Sequence, residues 1–150
     1  MGLMPSKPKR RPQTSRKPQP SFPRPEPESC PCGSGAGYAE CCRPLHAGDA
    51  RAGTAEQLMR SRFSAFAVGD ADYLLRSWHS RTRPAALELD PRLVWTRLEI
   101  DATTGGGAFH TEGTVEFTAY SRRRGGAEEP MHEDSAFVRE AGDWVYLSAR

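Results

Sequence analysis

The sequence predicts an α+β fold in which N-terminal helices pack on a bent antiparallel sheet, preceded by a small cysteine knuckle. Three observations predict it. Apolar residues recur at helical spacing between Thr54 and Trp78, the pattern changes to a period near two from residue 93 onward, and all four cysteines of the 150-residue chain fall within residues 30–42. Helices first and strands afterwards is the order of an α+β domain. The connections between successive strands are short, which implies antiparallel pairing because parallel strands need a long crossover.

Residues 1–29 stand apart. They hold Lys7, Lys9, Arg10, Arg11, Arg16, Lys17 and Arg24 against Glu26 and Glu28, a net +5 that leaves −3 of the chain's total +2 to residues 30–150. Eight prolines and few large apolar side chains mean that this leader cannot bury enough surface to offset its ordering entropy, so it is predicted to be disordered with a polyproline bias. It lacks the apolar centre of a secretory signal, and no run of about 18 apolar residues occurs anywhere. No membrane span and a cytoplasmic location are the expectation. Nucleic acid or another anionic surface would be met only through this basic leader, for which a solvated tail is the plainer reading.

The knuckle, residues 30–46, begins Cys30-Pro-Cys32-Gly-Ser-Gly-Ala-Gly-Tyr-Ala-Glu-Cys41-Cys42. In a reducing cytoplasm clustered thiols are metal ligands or redox groups. Thioredoxin-type chemistry uses Cys-x-x-Cys, whereas the pairs here are Cys-x-Cys and Cys-Cys. Pro31 stiffens the first pair, and Gly33, Gly35 and Gly37 tolerate positive φ, letting the chain double back with amides turned toward sulfur. Residues 38–42 are predicted to form one helical turn that brings in the second pair, with Pro44 discouraging its continuation. Four sulfurs at about 2.3 Å around one ion form the closed arrangement of structural zinc, with no position open to a substrate. Zinc is the first reading; an iron–sulfur cluster, and disulfides or free thiols, are the alternatives. A module this short has almost no apolar core, so metal binding should drive its folding. His46 is either a fourth ligand in place of Cys41 or Cys42, or an exposed loop histidine.

Cys-Pro-Cys-Gly-Ser-Gly followed by Tyr-x-x-Cys-Cys resembles the SEC-C motif, a metal-binding knuckle also found at the tail of the SecA translocation motor. Together with Glu56-Gln-Leu-Met-Arg-Ser-Arg-Phe-Ser-Ala-Phe and Asp70-Ala-Asp-Tyr-Leu-Leu-Arg-Ser-Trp-His, it resembles the bacterial YchJ family over residues 30–150. That resemblance implies a SEC-C knuckle joined to a nuclear-transport-factor-2-like, cystatin-like domain, here residues 54–150. Many members of that family carry a second knuckle at the C-terminus, and the sequence reaches Arg150 without one.

Within the larger domain, Thr54-Ala-Glu-Gln57 reads as a capping box that starts a helix. Met59, Phe63 and Phe66, with Leu58 and Ala65 beside them, form an apolar stripe that ends at Gly69. Asp70 can cap a second helix carrying Tyr73, Leu74 and Trp78. A short helical turn is predicted over 84–89, then strands over 93–101, 108–120, 131–139 and 143–149. Arg60 and Arg62, two apart, do not share a helix face, so one is expected to pair with Glu133 and the other to be solvated.

On the third strand Glu133, Ser135 and Phe137 share a face, and on the fourth Trp144, Tyr146 and Ser148 do. If those faces meet the helices, they outline a cleft with Tyr73, Trp78 and His79 as aromatic walls and Glu133 as polar anchor, fit for an unknown small ligand. The plainer alternative makes Trp78, Phe137 and Trp144 core and Glu133 a surface charge. Gly33-x-Gly35-x-Gly37 is not a phosphate loop, since no strand precedes it, and no Gly-x-Ser-x-Gly elbow, His-Glu-x-x-His pair or Walker loop occurs. The functional expectation is a metal-dependent binding or adaptor protein that meets a protein partner through the knuckle, the larger domain offering a cleft or a homodimer face. The alternative is a small enzyme with His79 and Glu133 as acid and base.

Overall fold

The computed structural model describes residues 26–150; the expected leader lies almost entirely outside them. A 3₁₀ turn at Tyr38–Glu40 is followed by α1 (Arg43–Ala47), α2 (Ala55–Val68) and α3 (Ala71–Arg76). The strands are β1 (Leu93–Gly105), β2 (Glu112–Arg123), β3 (Glu129–Glu140) and β4 (Asp143–Ala149). They form one antiparallel sheet in the order β1-β2-β3-β4.

Local chemistry sets the helix ends. Thr54 accepts from Gln57 N at 3.1 Å, and the Gln57 side chain reaches back to Gly53 N at 2.7 Å. Gly69 ends α2 with φ 82°, a left-handed conformation that a side chain would resist. Asp70 then accepts from Tyr73 N at 3.0 Å and opens α3. That helix stops at Arg76, so Trp78 lies outside it and forms a parallel bridge with Tyr146. Residues 84–89 hold no helical turn; they cross to the sheet as irregular chain with one bend at Ala85.

The Gly105-Gly106-Gly107 run is predicted as a break, but β1 extends to Gly105 and β2 starts at Glu112 rather than at 108. The cause is a close backbone approach. A Cβ on Gly113 would lie 2.4 Å from Gly106 N and 2.5 Å from Gly106 Cα, so the two strands can close on each other only without side chains there. Extra residues bulge β1 at two places, between Trp95 and Arg97 and between Ile100 and Ala102, and increase the twist of the sheet.

The core lies between α2 and the helix-facing side of the sheet, where Leu58, Met59 and Phe63 meet Leu98, Val115, Phe117, Phe137 and Trp144. A second cluster joins Leu45 of α1, Ala65 of α2, and Tyr73 and Leu74 of α3. α2 is covered on more sides than its apolar stripe suggests: Ser61, Arg62 and Ser64 are buried as well, each with hydrogen-bond partners.

Candidate functional site

The knuckle closes on itself through backbone hydrogen bonds. Tyr38 N donates to Glu28 O at 2.9 Å and Cys30 N to Ala36 O at 3.0 Å, while Ser29 and Gly37 form an antiparallel bridge. Glu28 and Ser29 therefore join the knuckle rather than the leader. Gly33 and Gly35 take φ of 82° and 92°. Gly37 stays at φ −70°, where a Cβ would meet the Glu40 carboxylate at 2.6 Å. Pro44 does not stop a helix here. It sits in the first turn of α1, where its missing N–H leaves no bond unmade.

The four Sγ atoms lie within 4.8 Å of one another, with Cys32 to Cys41 at 3.7 Å and Cys41 to Cys42 at 4.0 Å. Sulfurs placed tetrahedrally about 2.3 Å from an ion stand about 3.8 Å apart, so the donor set fits one metal ion. Without a cation the four thiols cannot all ionise. A hydrogen bond from Cys32 pulls the Cys30 thiol down, the Cys30 contact pushes Cys42 up, and burial pushes Cys41 up. A cation among them resolves that conflict by holding every sulfur as thiolate.

This cluster is seated on α2. Ser64 Oγ lies 3.5 Å from Cys30 Sγ, Arg60 Nη1 donates to Cys32 O at 2.8 Å, and Val68 packs against the buried cysteines. His46 completes the seat and corrects both expectations for it. Only 5% of it is exposed. Its Nε2 lies 2.8 Å from Ser61 O, which can only accept, so Nε2 carries the proton and Nδ1 accepts from Tyr38 Oη at 2.7 Å. Burial holds its pKa below the usual histidine range, keeping the ring neutral. With both nitrogens used, the ring is a joint between knuckle and helix and offers no nitrogen to a metal.

A second concavity of about 300 Å³ lies between α2 and the sheet. Of the eight residues expected to outline a cleft, Trp78, Glu133, Ser135 and Tyr146 line it. The other four do not. Phe137 is fully buried core; Tyr73 packs in the α1–α3 cluster with its hydroxyl on Ser61; Trp144 is buried and donates to Gly53 O. His79 turns toward Glu140, with Nε2 3.8 Å from the carboxylate. Ser148 also leaves this face, because an extra residue in β4 pairs Ser148 with Ala136 instead of with the next inward position. Neither arginine makes an ion pair with Glu133: Arg60, partly exposed, pairs with Glu56 at 3.0 Å. Arg62 is buried, gives Nη1 to Leu74 O and Ser77 Oγ, and stands over the rings of Trp78 and Tyr146.

With this geometry in hand, residues 54–149 match the family model described as the middle NTF2-like domain of YchJ, and residues 27–44 match the SEC-C motif. This chain belongs to the YchJ-like family. It is 57% identical over 117 residues to a UPF0225 protein of Streptomyces coelicolor, covering 78% of this chain and 90% of that one. A UPF0225 protein of Deinococcus radiodurans is 47% identical over 120 residues, covering 80% and 87%. Among solved structures, a SEC-C motif containing protein from Rhodopseudomonas palustris superposes with TM-score 0.69 at 34% identity, over 81% of this chain and 96% of that one. One from Psychrobacter arcticus gives TM-score 0.64 at 30% identity, over 79% and 80%. The α+β architecture seen here is thus shared with solved SEC-C motif containing chains at 30% and 34% identity.

Sequence reasoning missed Arg62 as a cleft residue, and Ser61 and Ser64 as seats for the knuckle. One signal was available: Ser61, Arg62 and Ser64 lie among the apolar residues Leu58, Met59, Phe63 and Ala65 of α2, and polar residues buried in a helix are retained where they have partners. No helix of the described residues is long and apolar enough to cross a membrane.

Proposed function

We propose that Cys30, Cys32, Cys41 and Cys42 hold one zinc ion as thiolates, and that the protein is a zinc-stapled binding module rather than a metalloenzyme. The observation that carries this is the mutual approach of four sulfurs within 4.8 Å at near-tetrahedral spacing. A four-thiolate shell is closed: the ion organises the backbone and leaves no coordination position for a substrate. Thiolates kept for metal fit a reducing, cytoplasmic setting. The exposed turn at residues 33–36 is then the rigid surface through which the knuckle meets a protein partner. An acid–base role for His79 with Glu133 gains no support, because only Glu133 lines the cavity.

Elemental analysis of protein purified under reducing conditions without added metal tests the reading. One zinc per chain is expected, falling to none in the Cys41→Ser, Cys42→Ser variant. Iron in place of zinc, or no stoichiometric metal in the reduced protein, overturns it.

A further inference from the structure

Arg62 is a buried cation without a counterion among the described residues. Only 4% of it is exposed. Its two hydrogen bonds, to Leu74 O at 2.8 Å and Ser77 Oγ at 2.7 Å, both come from Nη1 and both go to neutral acceptors. The rings of Trp78 and Tyr146, centred 5.0 and 4.8 Å from its Cζ, cover it without taking up a donor. Burial pulls its pKa down to about 10, which still leaves it charged at neutral pH. Charged side chains are seldom buried unpaired, because an ion taken out of water needs an opposite charge in place of the solvent.

Nε and Nη2 are the donors left over. Among the described residues, the buried side-chain atoms sealed off without a partner are Trp78 Nε1, Asp134 Oδ1 and Ser135 Oγ. The spare nitrogens of Arg62 are not among these, so they reach open space, and the space that Arg62 lines is the cavity of about 300 Å³ between α2 and the sheet. The wall beside it is aromatic: Phe63 and Phe66 approach Trp95 at ring-centroid distances of 6.1 and 5.7 Å, with Phe117 alongside.

We propose that this cavity binds a small aromatic carboxylate, its two oxygens on Nε–H and Nη2–H of Arg62 and its ring among Phe63, Phe66 and Trp95. Nε–H and Nη2–H lie side by side on the guanidinium and match the two oxygens of a carboxylate, the pairing for which arginine is suited. Leu74 O and Ser77 Oγ already fix the head group, so binding orders little. The volume stands at the lower end of the range for small-molecule sites, whose walls are mostly apolar with a few fixed polar groups. Glu133 is the other charged residue in the wall and opposes an anion. It is half-buried, set along β3 between Ser135, 1% exposed, and Met131, 42% exposed. Water therefore weakens its repulsion more than it weakens the attraction of the deeper guanidinium. One cation facing one half-screened carboxylate favours a single negative charge on the ligand over two.

The test uses three probes of similar shape, 2-naphthoate, 2-acetylnaphthalene and 2-naphthylmethylammonium, titrated into the full ¹⁵N-labelled chain. Binding is read from the Nε–H resonance of Arg62 and the amides of Phe63 and Glu133. The carboxylate is expected to give saturable shifts there and to bind at least about tenfold more tightly than the ketone, the worth of a charge-assisted hydrogen bond over a neutral one. Glu133→Gln removes the opposing charge from a half-buried position and should tighten the carboxylate while leaving the ketone unchanged. Arg62→Met leaves Ser77 Oγ its bond to Tyr73 O and should erase the preference for the carboxylate. Absence of saturable shifts with the carboxylate overturns the site, and equal or tighter binding of the ketone or the ammonium overturns the anionic class. Carboxylate affinity that does not rise in Glu133→Gln, or a preference that survives in a folded Arg62→Met, overturns the placement on Arg62. The probe comparison and Glu133→Gln decide the matter even if Arg62→Met fails to fold, and metal content measured on the same sample reads the zinc proposal separately.

Discussion

Replacing His46 with leucine tests the joint between the knuckle and α2. The substitution leaves the Tyr38 hydroxyl without its acceptor and Ser61 O without its side-chain donor, at a position only 5% exposed. Each buried polar group left unpaired costs about 1–3 kcal/mol. Ser61 O keeps its bond within α2 and leucine returns apolar burial of similar size to that of the ring, so the net loss, set by the stranded Tyr38 hydroxyl, is expected at about 1–3 kcal/mol. Equilibrium urea unfolding of the metal-loaded protein measures it, with an unchanged m-value as the sign that only stability has moved. Tyr38→Phe supplies a second axis. In the double variant no hydroxyl is stranded, so the pair should be less destabilised than the sum of the singles by about 1–2 kcal/mol. A His46→Leu loss below about 0.5 kcal/mol would refute the argument that these bonds join the two units. Loss of stoichiometric metal from a folded His46→Leu would refute it differently, by making His46 a ligand.

Gly113→Ala should be among the most disruptive single-methyl changes, since the new Cβ would stand 2.4 Å from Gly106 N and the neighbouring atoms are backbone; overpacking costs about 1–3 kcal/mol or more, readable as a lowered Tm. Thr54→Ala removes the cap on Gln57 N and should cost about 1 kcal/mol in urea unfolding. Acidification should release the metal and lower stability together. The metal-bound state holds its cysteines deprotonated and so binds fewer protons than the unfolded chain, which makes stability rise with pH and fall as pH drops. Metal release and tryptophan fluorescence followed across one acid titration should move in parallel; loss of metal with no change in stability would contradict the coupling.

How much could be read in advance varies with the range of the interaction. The caps at Thr54 and Asp70 and the stop at Gly69 involve partners three or four residues away, and each is realised in the structure. The antiparallel meander followed from short connections, and its order in the sheet is the order in the chain. By contrast, Pro44 fits both a helix stop and a helix start, and only the position of Cys42 as N-cap distinguishes them. His46 looked exposed because its partner, Ser61 O, is a backbone carbonyl fifteen residues on, which carries no side-chain signature.

The cleft shows the same division. Alternation correctly puts Glu133, Ser135 and Tyr146 on one side of the sheet, but the bulge in β4 removes Ser148 from it, and no residue type announces a bulge at that point. Arg62 is drawn inward because the ends of α3 offer it Leu74 O and Ser77 Oγ, acceptors that exist only once α2 and α3 have packed. The sequence alone determined the spacing of four thiols, the period of each element and the helix caps, since these rest on interactions within about one turn or one strand pair. Tertiary structure alone decided which buried polar groups found partners and which, like Trp78 Nε1 and Ser135 Oγ, were left without one among the described residues. That outcome depends on where elements distant in the chain come to rest against each other, which no local pattern encodes.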